Sequence, residues 1–166
     1  MYCWDDNEKG LTISGERYIE LINICFLYSS FFSLSFDCVK TEREVFGDMN
    51  SICKIEYHDS PPTTYRSFYK CTDHTKEILI NYVNSLFEWT INPFRYNPED
   101  LIFYRNDGSV FFWSMTHEGI CAIYNRPYED VSKLVLDEGW TNSLVYGVPS
   151  EIQGYSFLRN KNKDNT

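Results

Sequence analysis

The chain has 166 residues, of which 43% are hydrophobic and 23% are charged. This composition excludes a disordered or collagen-like chain, and it fits one globular domain with its own core. It carries 24 acidic and 15 basic side chains, for a formal net charge of −9. A field of that sign repels phosphate backbones, so direct nucleic-acid binding is not expected, whereas a basic protein partner would be attracted.

The first predicted element is a helix over residues 15–35. Apolar residues crowd every face of this stretch, which is typical of a helix enclosed in a protein core. Its apolar part, residues 19–36, is long enough to be compared with a membrane span. However, Glu20, Asn23 and four serines interrupt it, and no basic flank marks an inside end. A buried helix is therefore the prediction, with a membrane-associated segment as the alternative.

The next elements are a predicted hairpin and a second helix. Residues 52–58 and 65–71 each alternate between apolar and polar side chains, which indicates two half-buried strands separated by a proline-containing loop. Residues 73–89 place Ile78, Tyr82 and Leu86 four residues apart on one stripe, which indicates a helix with one buried face. Pro93 and Pro98 then open a loop.

Residues 101–124 predict a three-stranded antiparallel meander. Its strands are Leu101–Arg105, Ser109–Thr116 and Gly119–Tyr124, and the first two are joined by Asn106-Asp107-Gly108. Asp-Gly between apolar runs is a strong signal for a hairpin. Simple alternation would place Phe111 and Trp113 on one face and Val110 and Phe112 on the other. Since both faces are apolar, each needs a cover, from helices or from another protein.

The last predicted helix spans residues 127–138. Pro127 suits a first turn, and Glu129 and Asp130 would lie at its positive end. A short strand over residues 144–148 and a frayed tail from about residue 159 complete the chain. The expected fold is therefore α+β over residues 1–166 as a single domain, with an antiparallel sheet packed against helices.

Motifs for catalysis and cofactor binding are missing from the sequence. It has no GxSxG elbow, P-loop or GxGxxG. Six cysteines lack any CxxC pair, and Cys71-x-x-His74 is a weak zinc pattern. We therefore expect no catalytic residue, no metal and no cofactor. The alternative is a small hydrolase or metal-dependent enzyme that uses His117 and Glu118, or His58.

The cellular location follows from the N-terminus and the thiols. The first ten residues are polar and acidic, unlike a secretory signal peptide. The cysteines of a protein that is not exported are expected to stay reduced. We therefore expect a cytoplasmic protein.

Acidic residues gather beside aromatic residues at several places in the chain. The aromatic residues concerned are Trp4, Phe46, Tyr104, Tyr128 and Trp140. Carboxylates that speed the encounter and aromatic side chains that hold the complex are typical of a surface that binds a basic protein. The predicted partner-binding residues are Glu99, Asp100, Asp107, Glu118, Tyr128, Glu129 and Asp130.

Residues 100–119, DLIFYRNDGSVFFWSMTHEG, resemble a pattern of small bacterial immunity proteins that accompany polymorphic toxins, including contact-dependent growth inhibition systems. The resemblance implies a cytosolic protein that binds a toxin domain, often a nuclease, and blocks its active site or substrate face. Nucleases hold phosphates and tend to be basic, which agrees with the acidic balance of this chain. A homo-oligomeric structural subunit that buries an apolar sheet face against its own copy remains an alternative.

Overall fold

The computed structural model describes residues 1–5, 12–37, 39–47, 49–57, 64–89, 91–92, 95–96, 98–135 and 139–142. The strands are β1 (Tyr2–Asp5), β2 (Phe31–Phe36), β3 (Cys53–Tyr57), β4 (Thr64–Lys70), β5 (Ile91–Asn92), β6 (Arg95–Tyr96), β7 (Glu99–Tyr104), β8 (Val110–Met115), β9 (Ile120–Ile123) and β10 (Trp140–Asn142). The helices are α1 (Glu16–Tyr28), α2 (Val39–Phe46), α3 (Asp73–Tyr82) and α4 (Ser132–Val135), with 3-10 turns at Leu86–Glu88 and Thr116–Glu118.

Eight of these strands form one antiparallel sheet in the order β10-β1-β9-β8-β7-β2-β4-β3, while β5 and β6 pair separately. The predicted α+β class with an antiparallel sheet is confirmed. The meander is confirmed as β7, β8 and β9, which are neighbours in the sheet. The predicted hairpin strands are confirmed as β3 and β4, and the residues 58–63 between them lie outside the described part of the chain.

The helix predicted over residues 15–35 is wrong in its last third. Helix α1 ends at Tyr28, and the chain turns into β2, which lies between β7 and β4. Within β2, Phe32 and Leu34 belong to the core cluster shared with the helices, and Ser33 alternates with them. This period of two fits a strand, and pairing on both edges satisfies its backbone groups. No helix among the described residues is long and apolar enough to cross a membrane.

The second helix is shorter than the predicted range 73–89, because its last predicted residues form hydrogen bonds with a distant segment of the chain instead. Helix α3 ends at Tyr82, and Val83 is extended. Beyond it, Asn84 O accepts a hydrogen bond of 2.9 Å from Gly15 N, and Leu86 N donates one of 3.0 Å to Ile13 O. These contacts with the segment before α1 replace the bonds that a continuing helix would make.

The helix predicted over residues 127–138 is also shorter. Only Ser132–Val135 is helical among the described residues, and residues 136–138 lie outside them. Residues 127 and 128 form a turn instead, in which Glu129 N donates to Arg126 O at 2.9 Å and the Glu129 carboxylate binds Arg105 and the Arg126 backbone. The predicted strand at 144–148 and the tail from 159 lie outside the described residues.

The sheet carries an apolar cluster on each face. Helices α1 to α4 pack on one face, where they share a cluster with strand residues such as Phe103 and Phe112. The opposite cluster consists of strand residues: Cys3, Phe31, Phe68, Ile102, Tyr104, Val110, Trp113 and Ala122. The largest fully buried side chains of the described residues are all Trp, Tyr or Phe. The aromatic content therefore belongs mainly to the core.

A register shift between β7 and β8 changes the predicted alternation of β8. Phe103 pairs with Phe112, but Tyr104 pairs with Val110, so Phe111 is an extra residue. Both Phe111 and Phe112 consequently lie in the cluster on the helical face, rather than on opposite faces. The bulge brings the Phe111 ring to 5.4 Å from the ring of Tyr28 at the end of α1.

Candidate functional site

The seven predicted partner-binding residues fall into two groups, one at each end of β7. Asp107, Tyr128, Glu129 and Asp130 lie around the β7–β8 hairpin, in or beside the turn after β9. Glu99, Asp100 and Glu118 lie at the start of β7 and in the 3-10 turn after β8. Six strand residues span roughly 17 Å, so the groups belong to different surfaces.

The first group surrounds an open cleft of about 480 Å³. The end of α1 forms one wall with Leu27 and Tyr28, and the hairpin loop forms another with Asp107. The turn after β9 contributes Arg126 and Tyr128. The end of α1, the hairpin loop and the turn after β9 therefore meet at one concave surface, which is the usual setting of a binding site.

Arg105 forms the floor of this cleft and is 6% exposed. Its Nε donates to Glu129 Oε1 at 2.6 Å, and its Nη2 donates to Glu129 Oε2 at 2.7 Å. The remaining N–H groups donate to the Ser109 hydroxyl and to the carbonyls of Val110 and Tyr124. All five guanidinium donors thus have acceptors, so the buried charge is fully hydrogen-bonded.

Glu129 is itself 5% exposed, and both of its carboxylate oxygens are engaged, since Oε2 also accepts from Arg126 N at 2.6 Å. Burial acts to raise its pKa, but the hydrogen bonds from Arg105 and from the Arg126 backbone hold that pKa below its usual value. The carboxylate therefore stays charged and fixes the turn that presents Arg126 and Tyr128.

A second ion pair lies above the floor. Arg126 Nη2 donates to Asp107 Oδ2 at 2.6 Å, and the other carboxylate oxygen accepts from the backbone and the hydroxyl of Ser109. Partial burial raises the pKa of Asp107, but the bonds from Arg126 and Ser109 dominate and hold it well below its usual range. Arg126 Nη1 also donates to the Tyr128 hydroxyl at 3.0 Å. The hairpin loop and the turn after β9 are thereby joined.

The rim of the cleft is apolar and exposed. Leu27 is 70% exposed and Tyr128 is 72% exposed, the highest values among the large exposed hydrophobic side chains of the described residues. Both line the same cleft. Beside them, the Tyr28 hydroxyl accepts a hydrogen bond of 2.8 Å from Asp130 N, which ties the turn to α1.

No protein-family model, curated protein or solved structure matches this chain.

Exposure separates Tyr128 from the other aromatic residues that were predicted beside acidic groups. Trp4, Phe46 and Tyr104 are buried core residues, at 1%, 4% and 0% exposure, and Trp140 packs against the core cluster. Tyr128 is the exposed member of that set. The sequence could not make this distinction, because each of these residues sits in a similar local pattern.

The second group lies at the opposite end of β7. Glu118 belongs to the 3-10 turn and lies 3.6 Å from His117 Nε2. The ligand atoms of Glu99, Asp100 and His117 lie within 4.8 Å of one another. His117 is therefore next to two carboxylates as well as its chain neighbour. His58, the other histidine of the enzyme alternative, lies outside the described residues.

The cleft residues that the sequence reasoning missed include Leu27, Arg105 and Arg126. Arg105 ends the first predicted strand of the meander and Arg126 follows its last strand in an otherwise acidic chain, and that contrast is the signal that could have drawn attention to them. Leu27 gave no such signal, because apolar residues crowd every side of the predicted helix.

Another group that the sequence reasoning missed surrounds Glu42 on α2. Glu42 is 6% exposed and accepts hydrogen bonds from Lys54 Nζ and from the hydroxyls of Tyr65 and Tyr69. Burial raises its pKa, but these donors, Lys54 first, leave the pKa below its usual value. The arrangement anchors α2 to β3 and β4.

Proposed function

We propose that this chain is a non-catalytic immunity protein that binds a cognate bacterial toxin, a basic nuclease domain, and masks its active site or substrate face. The observation that carries the proposal is the rim of the cleft, where Leu27 and Tyr128 are both exposed around a hydrogen-bonded polar floor. An exposed aromatic side chain beside an arginine is the composition in which interface hot spots are enriched.

The cleft is suited to binding because its polar groups are already ordered. Arg105 and Glu129 hold the floor, and Arg126 with Asp107 holds the wall. A partner that docks on Tyr128 would not need to order these loops, which lowers the entropic cost of association. The Arg105 donors and the Glu129 carboxylate oxygens are already hydrogen-bonded to one another and to their neighbours. Few polar groups at the floor are therefore available to react with a substrate, which favours binding over catalysis.

The charge of the whole chain supports the basic partner. The net charge is −9, whereas the cleft itself pairs each arginine with a carboxylate. Long-range electrostatic attraction would therefore come from the negative charge of the whole surface, and the short-range contacts that hold the complex would come from the rim side chains. We expect the association rate to fall as the salt concentration rises, while the dissociation rate depends on Tyr128 and Leu27.

The test is a binding and inhibition assay with the toxin domain encoded beside this chain. Size-exclusion chromatography with light scattering should show a stoichiometric complex, and the toxin should lose its nuclease activity in that complex. Tyr128→Ala should weaken Kd by about 30-fold, corresponding to about 2 kcal/mol, with Leu27→Ala giving a smaller loss.

Val39→Ala is the matched control, because Val39 is 51% exposed and is not part of the cleft lining. Its Kd should equal that of the unmodified chain. A complex that forms equally well with Tyr128→Ala would place the interface elsewhere. Failure to bind or inhibit the toxin would reject the immunity function, and a dimer of the isolated chain would revive the homo-oligomer alternative.

A further inference from the structure

Two adjacent carboxylates point into the same space at the start of β7. Neighbouring residues of a regular strand face opposite sides of a sheet. Asp100, however, has a φ of 55°, and the pairing of β2 with β7 shifts register between Ser33 and Ser35. This local departure from strand geometry lets Glu99 and Asp100 approach the same imidazole.

The third group, His117, comes from the turn after β8, and that turn is tied to Asp100. Thr116 N donates to Asp100 Oδ1 at 3.1 Å. The Thr116 hydroxyl in turn donates to Trp89 O. As a result, an imidazole nitrogen and two carboxylate oxygens from two separate elements lie within 4.8 Å of one another.

A buried arginine supplies a second and independent observation. Arg66 is 6% exposed, and its Nη1 donates to Asp100 O at 2.8 Å. Its Nη2 lies 4.0 Å from Asp100 Oδ2, beyond hydrogen-bond distance. Its Nε has no hydrogen-bond partner within the described ranges. Nε and Nη2 share one edge of the planar guanidinium, so the donor without a partner lies on the same edge as the nitrogen that is 4.0 Å from the Asp100 carboxylate.

An unsatisfied buried donor costs about 1–3 kcal/mol, which points to an oxygen atom that belongs between Arg66 and the carboxylates. A water or hydroxide oxygen bound to a cation would fit this place, because such an oxygen keeps a lone pair that is not used in the bond to the metal and can accept a hydrogen bond from the arginine.

We propose that Glu99, Asp100 and His117 bind a divalent transition-metal ion. Two carboxylate oxygens and one imidazole nitrogen suit Mn²⁺, Fe²⁺, Co²⁺ or Zn²⁺ better than Ca²⁺ or Mg²⁺, which prefer oxygen ligands alone. Three protein ligands leave positions open for water, one of which would face Arg66. The inference departs from the expectation of no metal site, and it does not depend on the proposed toxin binding.

The geometry allows the ion to enter with a small movement. Metal–ligand distances of about 2.1 Å place neighbouring ligand atoms about 3–3.5 Å apart, closer than the observed upper limit. The His117 side chain is 51% exposed, so it can rotate toward the carboxylates without disturbing the core. Metal binding would fasten the turn after β8 to the start of β7.

The experiment uses the full chain, treated with a chelator, and Mn²⁺ as the probe, because Mn²⁺ prefers oxygen and nitrogen ligands over cysteine thiolates. Titration followed by electron paramagnetic resonance and calorimetry should show one saturable site with micromolar or lower Kd. His117→Ala should weaken Kd at least tenfold. His74→Ala, a histidine on α3 outside the cluster, should leave it unchanged.

Asp100→Asn should weaken Kd as strongly as His117→Ala, and circular dichroism would check that it folds. If Mn²⁺ shows no saturable site, or binds the His117→Ala chain as tightly as the unmodified one, the metal site is rejected. Loss of the site in His74→Ala would reject this ligand set as well. Complex formation with the toxin should be the same for His117→Ala, so failure of either proposal can be told from failure of the other.

Discussion

The buried pair between Arg105 and Glu129 is the contact on which the cleft depends, and removing the Glu129 carboxylate tests this directly. Glu129→Ala would delete three short hydrogen bonds to the carboxylate, two from Arg105 and one from Arg126 N, and leave the buried Arg105 guanidinium with only neutral acceptors. Breaking a buried ion pair by removing one partner costs about 3–5 kcal/mol. Because Arg105 keeps three other acceptors, we expect the free energy of unfolding to fall by an amount near the lower end of this range, about 3 kcal/mol.

The assay is urea unfolding followed by far-UV circular dichroism and tryptophan fluorescence. With an m value of about 2 kcal/mol per molar urea, a loss of that size lowers the midpoint by about 1.5 M. Arg105→Ala and the double variant complete a double-mutant cycle, which should give a coupling free energy of at least about 1.5 kcal/mol.

The matched control is the exposed pair Lys40–Glu44, whose charged atoms lie 3.6 Å apart one helical turn from each other. Its cycle should give about 0.5 kcal/mol or less, because water screens both side chains. A loss below about 1 kcal/mol for Glu129→Ala, or a coupling no larger than that of Lys40–Glu44, would refute the reasoning.

Two further predictions concern stability. Gly139 has a φ of 126°, and a Cβ there would lie 2.1 Å from the buried Trp4 ring, so Gly139→Ala should lower the free energy of unfolding by more than about 2 kcal/mol. Gly47→Ala, with φ of 61° and an open site, should cost only about 1 kcal/mol by urea unfolding. For Glu42, a lowered pKa means that its contribution is full above the unfolded value of 4.5 and disappears as pH falls through the folded value. The stability difference between the unmodified chain and Glu42→Gln should therefore narrow as the pH falls below 4.5; an unchanged difference would contradict this.

Local patterns predicted the elements whose signals are contained within a few residues. The Asp107-Gly108 turn between two apolar runs predicted the β7–β8 hairpin, and the alternation in residues 52–58 and 65–71 predicted β3 and β4. The same reasoning failed over residues 29–35. There the composition allowed a helix, and the choice of a strand depended on the pairing of β2 with both β7 and β4.

The sequence also predicted the seven partner-binding residues, but it could not assign them to surfaces. That assignment depends on tertiary contacts between residues far apart in the chain, such as Arg105 and Glu129. Glu129 and Tyr128 are adjacent, yet the first is 5% exposed and the second 72% exposed.

By itself, the sequence determined the net charge, the antiparallel meander and the α+β class, because composition and short-range periodicity act within one segment. The tertiary structure decided where α1 ends, which carboxylates are buried and which aromatic side chain reaches solvent. It also decided that Glu99, Asp100 and His117 meet. These outcomes depend on packing between distant segments, since burial and ion pairing are set by what each side chain faces rather than by its neighbours in the chain.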